Sequence, residues 1–433
     1  MTGALASDFK DAWLIGGVRT PFADYNGALA QISPIDLGIK VARAAFKQSG
    51  VSPQDVGTVI AGSMALASFD AYMLPRHIGL YSGVPTRTPA HLVQRVCGTG
   101  IEVLCQAADA VSLGRAELAL CVGTESMSRN PVAAYSHRGG FRLGQIEFKD
   151  FLWEALRDSG PDLTMGDTAE NLARQYQITR PQVDAYAARS FTRAVEAQRS
   201  GFLGGEIVAV TSESFEADGL KTRGIRIKDE LSADTHIRPS TVEQLAKIKP
   251  AFGGVQTGGN SSGIVDGAAA ILVGSGDYAR KLATPPLARI LAAAAIGVSP
   301  EVMGIGPVPA IQAVLSRAGL TLETIDRFEI NEAFGAQVMA CARELAARRG
   351  QAQRQRRRHR HRPSARRHRH SPGADAGARA QAQRVALWYR LRLHRWRPGH
   401  HPADREHERM IPKSGNRFSD KIMRKQRDAK GKN

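Results

Sequence analysis

Near Arg348 the apolar periodicity of this chain stops, and the sequence becomes QAQRQRRRHRHRPSARRHRH. A domain needs apolar residues recurring at helix or strand spacing, so that one face can be buried. Any core must therefore be built from about the first 350 residues, which is ample for two or three domains. The charge divides at the same place. Residues 351–433 hold 25 Lys+Arg and 6 Asp+Glu, a net of +19, out of totals of 59 and 41, which leaves 34 and 35 before them. A nearly neutral globular region is followed by a basic tail, whose composition predicts disorder.

Within the first region the pattern is α/β. Up to about Glu125, short apolar strands such as AWLIGGV and VGTVIAGSM alternate with amphipathic helices such as LGIKVARAAFKQSG. That alternation predicts a layered domain. A polar, Gly- and Arg-containing stretch from Ser126 to about Pro250 has helical pieces and few strands, and is expected to be an inserted loop domain. Strand-like sequence returns at GAAAILVG and ARILAAAAIGV, followed by the helix PAIQAVLSRAGL and the strand RFEI. The expected organisation is an N-terminal domain over 1–286 with its loop domain at about 126–250. A second α/β half starts near Leu287 and is cut short at 347, and the tail occupies 348–433.

Composition excludes some classes. Four cysteines, Cys97, Cys105, Cys121 and Cys341, have neither the density of a disulfide scaffold nor CxxC spacing for zinc, so reduced thiols and no metal are expected. The first residues (MTGALASDFKDAW) lack an apolar run after a basic start, and no stretch is apolar enough to span a bilayer. A soluble cytoplasmic protein is the expectation.

One cysteine stands in a chemical setting. In VQRVCGTGIEVLCQAADAV, a short apolar strand meets Cys97, Gly98, Thr99 and Gly100 and then an apolar-striped helix. A thiol at a helix N-terminus faces unpaired amides and the positive end of the macrodipole, which favour thiolate. The glycines let a substrate approach the backbone, whose amides can stabilise an oxyanion. A buried core cysteine is the alternative for this residue, and the expectation for Cys105, Cys121 and Cys341 on apolar faces.

The segments around Cys97 resemble the thiolase family along nearly all of residues 12 to 343. The resemblance runs through GVRTPF (Gly17–Phe22), the Cys97 segment, GTESMS (Gly123–Ser128) and MGDTAEN (Met165–Asn171). It continues through GGNSSGIVDGAAA (Gly258–Ala270), MGIGPVPA (Met303–Ala310) and NEAF (Asn331–Phe334). Each segment alone is weak, but together in the family's order they are specific. The resemblance implies a doubled α-β-α-β-α layering with a loop domain. It also implies an acetyl-CoA C-acyltransferase that cleaves or makes 3-ketoacyl-CoA through a cysteine thioester. Coenzyme A is then the co-substrate, with no metal or nucleotide redox cofactor, in a homodimer or homotetramer.

Carried over by position, the resemblance makes Cys97 the acylated residue and gives Asn331 the water of a second oxyanion hole. Ser262 would bond the pantetheine arm and Met165 would border the acyl pocket. Arg19, Glu125 and Glu332 are expected to be structural, with partners that the sequence does not name. Short-chain members often carry His before the Met-Gly pair, where this chain has Thr164, which weakens an assignment to acetoacetyl-CoA alone.

Two motifs of the family are missing from residues 344–433. One is the Gly-His-Pro histidine that activates the nucleophile, and the other is a second cysteine in Cys-x-Gly that moves the α-carbon proton. Runs of Arg, His, Pro and Ala are what GC-rich coding DNA yields out of frame. Residues 353–371, reverse-translated with suitable synonymous codons and shifted by one base, read Asn-Val-Asn-Gly-Gly-Ala-Ile-Ala-Ile-Gly-His-Pro-Leu-Gly-Ala-Thr-Gly-Thr. Residues 388–406 treated likewise read Gly-Ile-Ala-Ser-Ala-Cys-Ile-Gly-Gly-Gly-Gln-Gly-Ile-Thr-Leu-Leu-Ile-Glu. Both missing motifs reappear in order, which points to a one-base frame change between about Arg343 and Gln351 and to a chain inactive as written. Two alternatives compete. One is a non-catalytic acyl-CoA-binding protein. The other is a basic tail that binds nucleic acid, disfavoured because the tail has no recognition motif and little aromatic interleaving.

Overall fold

A computed structural model describes residues 4–135, 137–358 and 420–422. The expected tail disorder and nucleic-acid contact fall on residues 351–433, most of which lie outside the described residues. The first half comprises strand β1 (Ala4–Arg19), helix α1 (Pro34–Ser49), β2 (Thr58–Gly62), α2 (Leu74–Tyr81), β3 (Ala90–Val93), α3 (Thr99–Ser112) and β4 (Leu118–Glu125). Helices α4 (Met165–Gln175) and α5 (Arg180–Arg199) follow in the loop region, then strands β5 (Val265–Ser275) and β6 (Ala288–Ile296). The chain continues with α6 (Pro307–Arg317), β7 (Phe328–Ile330) and α7 (Gly335–Arg358).

The main sheet has the order β6-β1-β5-β4-β2-β3, with the short strand Ala23–Asp24 added beside β5. Strand β2 runs parallel to β3 and β4, whereas β5 is antiparallel to β4 and β1. Period-two alternation along β4 sorts its side chains onto two faces. Leu118, Leu120 and Val122 pack with α1 and α2, while Ala119 and Cys121 pack against Ile101, Leu104 and Cys105 of α3. Helices on both faces make the α-β-α layering of the expected class. They also explain why β4 and β5 are continuous apolar runs rather than alternating ones.

Strand β1 joins the two halves. Its residues 12–19 pair with β5, and residues 4–8 and 12–14 pair with β6 across an irregularity between Asp8 and Ala12. The second half thus begins on an edge of the first half's sheet. There α6 and Cys341 of α7 cover Ala292 and Ala294. Strand β7 is three residues long and pairs antiparallel with Asp420–Ile422, and α7 runs through the composition break at Arg348.

The loop region has helices as its longest elements, strands of only two or three residues, and a largely irregular stretch from 200 to 241. It is tied down by Arg19, which is 1% exposed. Its guanidinium donates to both carboxylate oxygens of Asp234 at 2.6 and 2.8 Å, and its Nε donates to Glu206 at 3.0 Å. A planar fork on a carboxylate gives direction as well as attraction.

Candidate active site

Between β3 and α3 the chain turns sharply. Val96 has φ 43°, a left-handed conformation that is costly for a β-branched residue. It is held by Thr99, whose hydroxyl accepts from the Arg95 amide at 2.8 Å and donates to the Val96 carbonyl at 2.6 Å. The Gly98 and Thr99 amides close the turn onto the Arg95 and Val96 carbonyls at 2.9 and 3.0 Å. Cys97 follows the strained residue and precedes Gly98, the N-cap of α3, which has no side-chain cap. The thiol is partly buried against Met64, Ala65, Met127 and Leu152. Cys105, Cys121 and Cys341 are buried, as their apolar spacing predicts, and all four cysteines are thiols.

The NEAF segment lies in a second, neighbouring cluster. Ala333 and Phe334 pack with Met165 and Met303, and Phe334 meets Phe252 edge-on at 6.2 Å between ring centroids. The Ser262 amide donates to the Ala333 carbonyl at 2.9 Å, and the Gly335 amide to the Asn260 carbonyl at 3.0 Å. These bonds stitch the glycine-rich loop to the NEAF turn. Asn331 is buried, and its Nδ2 has no hydrogen-bond partner among the described residues. The two clusters adjoin through consecutive residues. Ala155 packs on the Cys97 side and Leu156 on the Met165 side, and Ile264, two residues after Ser262, also reaches the Cys97 cluster.

The structure supplies partners that sequence reasoning could not name. Glu332 accepts from the Tyr186 hydroxyl at 2.7 Å and the Ser190 hydroxyl at 2.5 Å, which fixes the turn carrying Asn331 to α5. Burial beside that carboxylate pushes the Tyr186 phenol well up. Glu170 of MGDTAEN was not singled out from the sequence. It accepts from the Val255 and Gln256 amides at 2.9 and 2.6 Å and so holds the start of the glycine-rich loop. An acidic residue on the apolar face of α4 was the available signal. Thr164 caps α4 through a reciprocal pair with Asp167, in which its hydroxyl donates at 2.6 Å and accepts at 3.2 Å.

A cysteine at a strand-to-helix turn, beside a glycine-rich loop and a buried asparagine, is the arrangement of an acyl-transferring α/β enzyme. The family model described as "Thiolase, N-terminal domain" matches residues 12–277, and that for "Thiolase, C-terminal domain" matches 284–353. Human mitochondrial 3-ketoacyl-CoA thiolase is 39% identical over 340 residues, covering 78% of this chain and 83% of its own. Beta-ketothiolase BktB of Cupriavidus necator is 36% identical over 340 residues, with coverages of 78% and 84%. The crystal structure of the human mitochondrial enzyme in complex with CoA superposes with a TM-score of 0.70 at 38% identity, covering 78% of this chain and 83% of that one. The chain belongs to the thiolase family and is by that membership an acetyl-CoA C-acyltransferase.

Proposed function

We propose that Cys97 is the residue that takes the acyl group from acyl-CoA, as the first half of a ping-pong exchange. The observation that carries this is its placement. Of the four cysteines it alone sits at a glycine-flanked helix entrance and outside the buried core. Attack on the thioester carbonyl forms an S-acyl bond and releases CoA, which carries away the thiol's proton, while backbone amides at the helix entrance other than those of Gly98 and Thr99, which close the turn, stabilise the developing oxyanion. Asn331 then holds a water through its buried Nδ2, Ser262 bonds the pantetheine arm, and Met165 lines the acyl pocket. CoA is the co-substrate, and neither a metal nor a redox cofactor takes part.

Each half of the cycle lacks a group, the histidine that activates the nucleophile in the first and the cysteine that moves the α-carbon proton in the second, because neither Gly-His-Pro nor Cys-x-Gly occurs after residue 343. The match to the C-terminal family model ends at residue 353, close to the composition break, which supports a one-base frame change there. Without that histidine the thiol relies on the helix entrance alone, so the full chain is expected to form a slow acyl adduct on Cys97 with acetyl-CoA, visible by peptide mass spectrometry after long incubation and absent from Cys97→Ala. It is also expected to give no acetoacetyl-CoA thiolysis. A clear thiolysis rate overturns the inactivity, and an unmodified Cys97 overturns the nucleophile. An adduct without product also fits an acyl-CoA-binding protein that does not turn over, and resequencing codons 335 to the stop separates that reading from a frame change.

Self-association is supported by Phe69, Tyr72 and Met73, exposed by 91%, 85% and 52% on one short segment. A patch of that kind is expected to be covered by a second copy in a homodimer. Four thiols and no disulfide suit a reducing compartment such as the cytosol. Among the described residues no helix is long and apolar enough to cross a membrane.

A further inference from the structure

The thiol's wall is built by a carboxylate more than twenty residues away from it along the chain. Glu125 ends β4 and is 2% exposed, with its Cα opposite Gly267 of β5. One oxygen, Oε2, accepts from the Ser63 hydroxyl at 2.9 Å, from the Met64 amide, and from the Ala65 amide at 3.2 Å. The Ser63 hydroxyl in turn accepts from the Leu66 amide at 3.2 Å. Consecutive amides of the turn after β2 thus converge on one carboxylate and the hydroxyl it holds. That turn is strained, since Leu66 has φ 49°. It is tied to the strand before the nucleophile by Gln94, whose Nε2 donates to the Met64 carbonyl at 2.9 Å. Its side chains Met64 and Ala65 belong to the four-residue apolar cluster against which Cys97 packs.

We propose that Glu125 is a positioning residue for the nucleophile, holding the Ser63–Leu66 turn in the shape that packs Met64 and Ala65 against Cys97. It touches no substrate and acts through the turn. The significance of the pocket rests on Cys97 being the acyl acceptor, but the positioning does not. Without the carboxylate, the amides of Met64 and Ala65 lose their acceptor in a buried site, and a turn with a left-handed leucine relaxes away from the thiol.

Alkylation by iodoacetamide, read cysteine by cysteine by mass spectrometry on the full chain, tests this. Buried Cys105, Cys121 and Cys341 report whether the core is intact. Glu125→Ala is expected to raise the Cys97 rate about tenfold, since buried amides left without an acceptor favour an open turn that uncovers the thiol. Glu125→Gln, which keeps an oxygen acceptor at the same reach, is expected to restore most of the protection. An unchanged Cys97 rate in Glu125→Ala with the buried thiols protected overturns the proposal. If Glu125→Ala exposes the buried thiols, Ser63→Ala decides, because it removes two bonds of the turn, to Glu125 and from the Leu66 amide, without removing the carboxylate. A faster Cys97 with protected buried thiols then supports the proposal, and an unchanged rate overturns it. Should acetyl-CoA leave wild-type Cys97 unmodified while Glu125→Ala still uncovers it, the nucleophile role fails and the positioning stands.

Discussion

Glu125 shows what a single buried carboxyl costs and contributes. Burial pushes it from the ordinary 4.5 up to about 7, against the hydrogen bonds from Ser63, Ala65 and Met64 that pull it down. Between those two values the folded chain holds a proton that the unfolded chain has released. Stability from this group is therefore fully present below 4.5 and is lost as pH rises through about 7. Glu125→Gln stays neutral throughout, so its urea midpoint is expected to fall less than that of the wild type across this window. Parallel midpoints in the two proteins would show that the group titrates normally. Asp266, on the neighbouring strand, is also raised by burial and its charge adds to the rise at Glu125, so the difference between the two proteins reports Glu125 together with its coupling to Asp266.

At the scale of elements, strand and helix identities were legible because their apolar periods were. Cys97 at a helix entrance was legible from its glycines, and the ordered motifs marked Asn331, Ser262 and Met165. Other features had no local signature. The three partners of Glu125 lie at Ser63, Met64 and Ala65, and those of Glu332 lie on α5, so neither network appears in any window of sequence. The double pairing of β1 is equally silent, since nothing in AWLIGGV specifies two neighbours. Close approach of elements is clearest at Gly62, the last residue of β2. A Cβ there would lie 2.1 Å from Thr99 Cγ2 and 2.7 Å from the Val93 carbonyl oxygen. Gly62→Ala is expected to push the start of α3 off the sheet and cost about 1–3 kcal/mol in chemical denaturation. Because Thr99 holds the Cys97 turn, acyl labelling should slow as well, and an unchanged labelling rate would show that the turn does not depend on this contact.

For the whole molecule, the exposed segment at Phe69 and Tyr72 is held rather than loose. Asp70 pairs with Arg223 at 2.9 Å and Arg129 at 3.4 Å, and the Arg129 guanidinium lies 5.1 Å from the centre of the Phe69 ring. A fixed apolar surface suits a partner that is always the same. Light scattering is expected to give a dimer for the wild type and a monomer for the double variant Phe69→Glu, Tyr72→Glu. A wild-type monomer at micromolar concentration would remove the argument for this interface.

The double pairing of β1 also has a consequence in time. Residues 4–19 leave the ribosome well before their partners, residues 265–275 and 288–296. At bacterial-to-eukaryotic synthesis rates that gap lasts roughly 12–50 s, during which the opening strand has neither neighbour. The strand must then wait, solvated or chaperoned, until β6 has emerged. The sheet can close only after that point but before the basic tail is complete. A change of frame beyond residue 343 thus reaches the nascent chain after every strand of the main sheet is already available to pair.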